Sequence, residues 1–284
     1  LTVETETARS LATWASVISF SSWVAEPLEQ RERRLADVGE QPVDQAGHEQ
    51  RDTHGSPPAS PAGAPHRVRY PRRHGHLEEG GAMAGSGGFY GRDVDTLERE
   101  LGIVEDTFRG LSEAEWGTRT LLQPIDPELP RWTLLELAAH FDISIGLTRG
   151  LIAEPQAGQP GRDRVSFFIF SRNEVAPVVY DYAVRGAEGR TPGSMLETLQ
   201  ETFAKTVQEA RATPPETVGP GYYALMRLDE FVPSRVVEAV VHGIDLTDPL
   251  GLPCQATPEA ISTTASILDE LLARRTVAGR PGDL

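Results

Sequence analysis

Trp132-Thr133-Leu134-Leu135-Glu136-Leu137-Ala138-Ala139-His140 and Arg235-Val236-Val237-Glu238-Ala239-Val240-Val241-His242-Gly243-Ile244-Asp245-Leu246 are the two stretches from which the fold can be read. In the first, Thr133 and Glu136 have the spacing of a capping box, in which each side chain takes up a free amide at the start of a helix. A helix therefore begins after Thr133, and its apolar positions continue to about Ile152. In the second, Val236, Val237, Val240, Val241 and Ile244 recur at helical spacing behind Pro233-Ser234, until Pro249 and Gly251 stop the run. Each segment is a helix with an apolar face, and such a face must be buried against other elements.

Working outward, Val94, Leu97, Leu101, Val104 and Phe108 step by three and four and predict a helix that ends around Leu111 to Trp116. Ser194-x-x-Glu197 predicts another capped helix through Leu196, Leu199, Phe203 and Val207, with Pro214-Pro215 beyond its end. Thr257-Pro258 sets a capping hydroxyl before a first-turn proline, and Ile261, Ala265, Leu268 and Leu272 carry a last helix to about Arg275. The region Val165 to Tyr182 reads as a helix or, from Phe167-Phe168-Ile169-Phe170, as the start of a strand. The sum is an all-α bundle of four or five helices over residues 89–278.

Residues 1–88 differ in kind. From Gly39 to Gly88 the chain is dense in Gly, Pro, Arg, His and Ser, and a segment so poor in large apolar side chains cannot offset the entropy of ordering itself. It is expected to be a disordered, low-complexity segment. The run Leu11 to Ala25 is too broken by serine to make a good secretory signal. Met83 stands just before the first helical pattern, so residues 1–82 are also readable as an upstream extension of the reading frame.

Of the 284 residues, 42 are acidic and 27 basic, a net charge of −15 that argues against a nucleic-acid partner, whose phosphates must be neutralised by cations. No run of about 18 apolar residues is present, so no membrane span is expected. The single cysteine, Cys254, rules out an internal disulfide and thiolate-rich metal sites, and suits a cytoplasmic protein. Oligomeric state is not written in the pattern, a homodimer included.

Five of the seven histidines lie in the first 88 residues, which leaves His140 and His242 for the bundle. Ile143, Leu147 and Leu151 follow His140 along one stripe, so its imidazole is expected to be at least partly buried. Glu238 precedes His242 by one helical turn, and side chains at that spacing can reach one ion. Two imidazoles and one carboxylate suit zinc, with a fourth position open, although the same ligands also serve other divalent metals such as nickel, iron or manganese. The plainer readings are a solvated Glu238 and His242 pair and an ordinary core histidine at 140; the joint arrangement favours the metal. Glu136, one turn before His140, offers a rival pair but is already accounted for by its cap.

The two quoted stretches resemble the mycothiol-dependent maleylpyruvate isomerase family, which belongs with the DinB-like metal-binding helix bundles. The similarity extends over about Val94 to Arg275 and leaves out the N-terminal segment. It implies a DinB-like four-helix bundle whose metal is held by His140, Glu238 and His242, and a low-molecular-weight thiol, mycothiol, as co-substrate. Asp245, three residues after His242, is readable as an acceptor behind an imidazole or as a plain helix-end acid, and Arg235 as a partner of Glu238 or of an anionic substrate or as a surface arginine. Family members that define the reaction carry a further small domain after the bundle, whereas 42 residues follow His242 here. The expected activity is therefore a general thiol-dependent transferase or isomerase acting on a small electrophile. Tyr180, Tyr182, Arg149 and Arg172 are further polar residues of the bundle, with core or surface roles preferred. Two other readings remain: a hydrolase using zinc-bound water, which lacks a clear base, and a non-catalytic metal-binding bundle.

Overall fold

Six α-helices and one short hairpin make up residues 87–278, which are the residues that the structure, a computed structural model, describes. The low-complexity segment expected over 1–88, with the Met83 boundary, falls on residues of which all but the last two lie outside the described residues. The order is α1 (Gly87–Gly110), α2 (Leu134–Ala153), α3 (Arg172–Ala187), α4 (Pro192–Ala212), β1 (Val218–Pro220), β2 (Leu225–Arg227), α5 (Leu228–Thr247) and α6 (Pro258–Ala278). α1 packs on α5, α5 on α2, α2 on α4 and α4 on α1, so these four close a ring. The expected four-helix bundle is this ring; α3 lies against α2, and α6 against α5 and α1. No helix among the described residues is long and apolar enough to cross a membrane.

The apolar stripe read from α1, Val94 to Phe108, is buried in full. Phe141 of α2 stands edge-on to Phe108 of α1 at 6.0 Å and to Phe203 of α4 at 6.4 Å, so one ring ties three helices. Burying a side chain of this size contributes about 1.5–3 kcal/mol.

The helix starts show where local pattern suffices and where it does not. α2 begins as expected: Glu136 N donates to Thr133 Oγ1 (3.2 Å), and Thr133 N donates back to Glu136 Oε2 (2.6 Å). In α4 the cap is Thr191 rather than Ser194, with Pro192 in the first turn and Ser194 as the returning partner of the box. That arrangement uses the proline where its missing N–H costs nothing. α5 starts at Leu228, and Pro233 lies inside it rather than before it. Its first amides are taken by carbonyls of the preceding segment, Leu228 N donating to Thr217 O and Asp229 N to Pro215 O, both at 2.9 Å. Pro233 has no N–H for the carbonyl of Asp229, which instead accepts from Arg164 Nη2 at 3.3 Å. The aromatic run at 167–170 forms no strand: Ser166–Phe168 is a 3-10 turn, and α3 begins at Arg172.

The hairpin was not anticipated. β1 and β2 pair antiparallel with Gly219 opposite Met226. Gly219 passes so close to the end of α2 that a Cβ there would lie 2.1 Å from Leu151 O, which only glycine permits. α6 opens as read, Ala260 N donating to Thr257 Oγ1 at 3.2 Å. Its cap residue is itself held from α1, where the buried Glu100 accepts from Thr257 N at 2.9 Å.

Candidate metal centre

α2 contributes His140, and two successive turns of α5 contribute Glu238 and His242; because α2 and α5 are neighbours in the ring, the three side chains converge. His140 Nε2 and His242 Nε2 lie 3.1 Å apart, and Glu238 Oε2 lies 3.6 Å from the first and 3.4 Å from the second. A tetrahedral zinc with bonds of about 2.0–2.1 Å spaces its donor atoms about 3.3 Å apart, so the residues present fit such an ion. Side-chain exposures of 12% for His140, 17% for Glu238 and 5% for His242 leave the cluster reachable through the first two and closed behind the third.

Each member is held from behind. His242 Nδ1–H donates to Asp245 Oδ2 at 2.8 Å, which turns Nε2 towards the cluster. His140 is held by packing: the Trp132 indole lies against its imidazole, centroids 5.1 Å apart, and Tyr180 stacks on the same indole at 6.1 Å. Tyr180 is in turn anchored by its hydroxyl to Pro130 O at 2.9 Å. Glu238 Oε1 lies 3.9 Å from Arg235 Nη2. Arg235 is 1% exposed, so of the two partners the sequence offered it, Glu238 is within reach and an anionic substrate arriving from solvent is not.

The charges follow from these contacts. Burial would raise the Glu238 carboxyl, but the imidazoles of His140 and His242 and the Arg235 guanidinium outweigh it and hold it well below the usual range. Burial pushes His140 down, with Glu238 opposing. Burial also works against a charged His242, yet its bonds to Asp245 and Glu238 prevail and raise it to about 10.

The other residues singled out earlier lie elsewhere or serve the scaffold. Glu136 keeps both arms of its capping box. Arg149 pairs with Glu209 of α4 at 3.0 Å. Cys254 is exposed on the connection between α5 and α6. Sequence reasoning missed Trp132 and Phe167 as neighbours of the site. Trp132 was visible as the first residue of the stretch that ends at His140 but not as its stacking partner, and Phe167 only as one of an aromatic run.

Four ringed helices holding two imidazoles and a carboxylate within 4.8 Å of one another define a helix bundle with a donor set for one metal ion. Residues 97–247 match the family model of the mycothiol maleylpyruvate isomerase N-terminal domain, and the chain belongs to that family. Membership makes it an enzyme of the isomerase- or transferase-like kind. Among solved structures, those of the mycothiol-dependent maleylpyruvate isomerase and of a mutant of it are similar, with TM-scores of 0.42 and 0.43. Each alignment has 14% identity and covers 62% of this chain and 67% of the other. Comparison with curated proteins gives no match.

Proposed function

We propose that residues 89–278 act as a DinB-like metal-binding domain in which His140, Glu238 and His242 hold one zinc ion, and that the protein is a mycothiol-dependent transferase or isomerase acting on a small electrophile. The observation that carries the reading is the triangle of donor atoms, with sides of 3.1, 3.4 and 3.6 Å. Zinc bound there would favour thiolate over thiol and so supply a nucleophile near neutral pH.

The chain's own residues do the positioning. Asp245 accepts from His242 Nδ1–H and so selects the tautomer whose Nε2 faces the cluster. Trp132 fixes the plane of His140. Phe141, edge-on to His242 at 6.0 Å, closes the rear of the site with hydrocarbon and keeps bulk water from that side. Glu136, engaged in its cap, is not free to serve as a base, which disfavours hydrolysis by metal-bound water. Cysteine-poor composition and a small-molecule thiol partner both suit the cytoplasm.

Metal analysis of the full chain tests this, beside His140→Ala, Glu238→Ala and His242→Ala and with a panel of electrophiles assayed with and without mycothiol. About one zinc per chain, lost in all three variants, and turnover that requires the thiol are expected. Metal retained by the three variants would refute the site, and turnover indifferent to thiol would refute the reaction class.

A further inference from the structure

Arg235 is the largest fully buried side chain among the described residues, and its surroundings are unusual for a guanidinium. Its Cζ lies 4.6 Å from the ring centroids of both Phe167 and Phe231, so two aromatic rings box it in. Nη1 donates to Ser144 O at 2.9 Å, and Nε and Nη2 donate to Ser234 Oγ at 3.2 Å. These bonds engage three of its five N–H donors and leave its charge to be offset. The carboxylate acting on that charge is Glu238, through Oε1 at 3.9 Å, while the other oxygen, Oε2, faces the two imidazoles. A buried cation without a counter-charge is strongly disfavoured, so Oε1 is held where it is by the need to offset Arg235.

We propose that Arg235 is a positioning residue that reserves Oε1 of Glu238 for itself, so that the carboxylate offers the metal a single oxygen. The inference rests on the metal site proposed above. If both oxygens of Glu238 turned to the ion, the carboxylate would occupy a further coordination position and leave the guanidinium unpaired. With Oε1 engaged, the protein supplies three donor atoms and no more, and the remaining position is kept for an exchangeable ligand. The box is built from a distance. Arg164 binds Glu230 through its backbone N, Nε and Nη2 at 3.0, 2.9 and 3.1 Å, which fastens the 163–168 turn over α5 and sets Phe167 against the guanidinium.

Two measurements with Co2+ as the probe decide it. In a crystal structure of the full wild-type chain loaded with Co2+, Glu238 is expected to bind through Oε2 alone with Oε1 turned to Arg235; a two-oxygen Glu238 would overturn the proposal. In titrations, Arg235→Gln is expected to give a weaker visible Co2+ band, as higher coordination gives, with an affinity changed from that of the wild type, while Arg235→Lys restores part of both. Lower thermal stability of the metal-free Arg235→Gln chain with unchanged affinity and band would show a packing role only and overturn the idea. If that variant does not fold, the wild-type structure alone decides. A wild-type chain that binds no Co2+ fails the metal site itself, which is a different result from a wild-type chain that binds it through both oxygens.

Discussion

The two ends of α5 both carry buried or half-buried acids, and they use them differently. At the N-terminal end each acid faces guanidinium: Asp229 pairs with Arg227 at 2.7 Å, and Glu230 with Arg164 at 2.9 Å. Further along, Glu238 and Asp245 face imidazoles, and the single arginine there, Arg235, lies inside rather than outside. An acid held by arginine has spent its lone pairs on a donor that never gives up its protons, so it can only hold structure. An acid held by neutral or exchangeable imidazole donors can release them to an incoming cation. On the function proposed above, the same helix is a fastening at one end and a receptor at the other.

This contrast can be broken at three points. The largest effect is expected from Asp245→Asn, which leaves the fold intact but loosens the His242 ring. Zinc affinity should fall roughly 10- to 100-fold while the melting temperature of the metal-free chain changes little. Equal affinity in the variant, measured by competition with a chelator, would mean that Asp245 belongs with the structural acids. Next comes Arg164→Gln, which removes charged hydrogen bonds to Glu230 and the donor to the Asp229 carbonyl. A loss of about 1.5–3 kcal/mol in denaturant unfolding is expected, with zinc stoichiometry unchanged.

The smallest effect concerns Asp93 of α1, a third acid at the fastening end. Burial first, with repulsion from Glu230 and Asp229, raises its carboxyl to about 6 against the pull of Arg164 and Arg92. A carboxyl with a folded pKa above its unfolded one binds its proton more tightly when folded. Its ionised form therefore opposes folding above about pH 6, and that cost fades as the pH falls towards 4. Asp93→Asn should thus raise the melting temperature by roughly 2–4 °C at pH 7.5 and by less at pH 4.5. An equal gain at both would remove ionisation as the cause.

What could be read from the chain alone follows the range of the interaction concerned. Thr133 with Glu136, and Thr257 with Pro258, act within one turn, and both helix starts stand where they were read. Thr191 and Ser194 are each capable caps, and only the position of Pro192 tells them apart. The start of α5 was misplaced because a proline ordinarily ends a helix, and the group that makes Pro233 tolerable is Arg164, far away in sequence. The donor cluster was legible because Glu238 and His242 are one turn apart and histidine is scarce in the bundle. The dry arginine and the stacked tryptophan were not, since Arg235 depends on Phe167 from a loop and Trp132 on Tyr180 from α3.

Glu100 reaches from the first described helix to the amide that begins the last, across 157 residues. The link has a consequence in time. Closing so long a loop is entropically costly, and it brings a return only after the elements between have folded and drawn the two ends together. α6 has its own local cap, but the bond from Glu100 that ties that cap to α1 can form only once α1 is docked in the ring. A chain that has lost Glu100 is therefore expected to assemble the ring at an ordinary rate and to add α6 late.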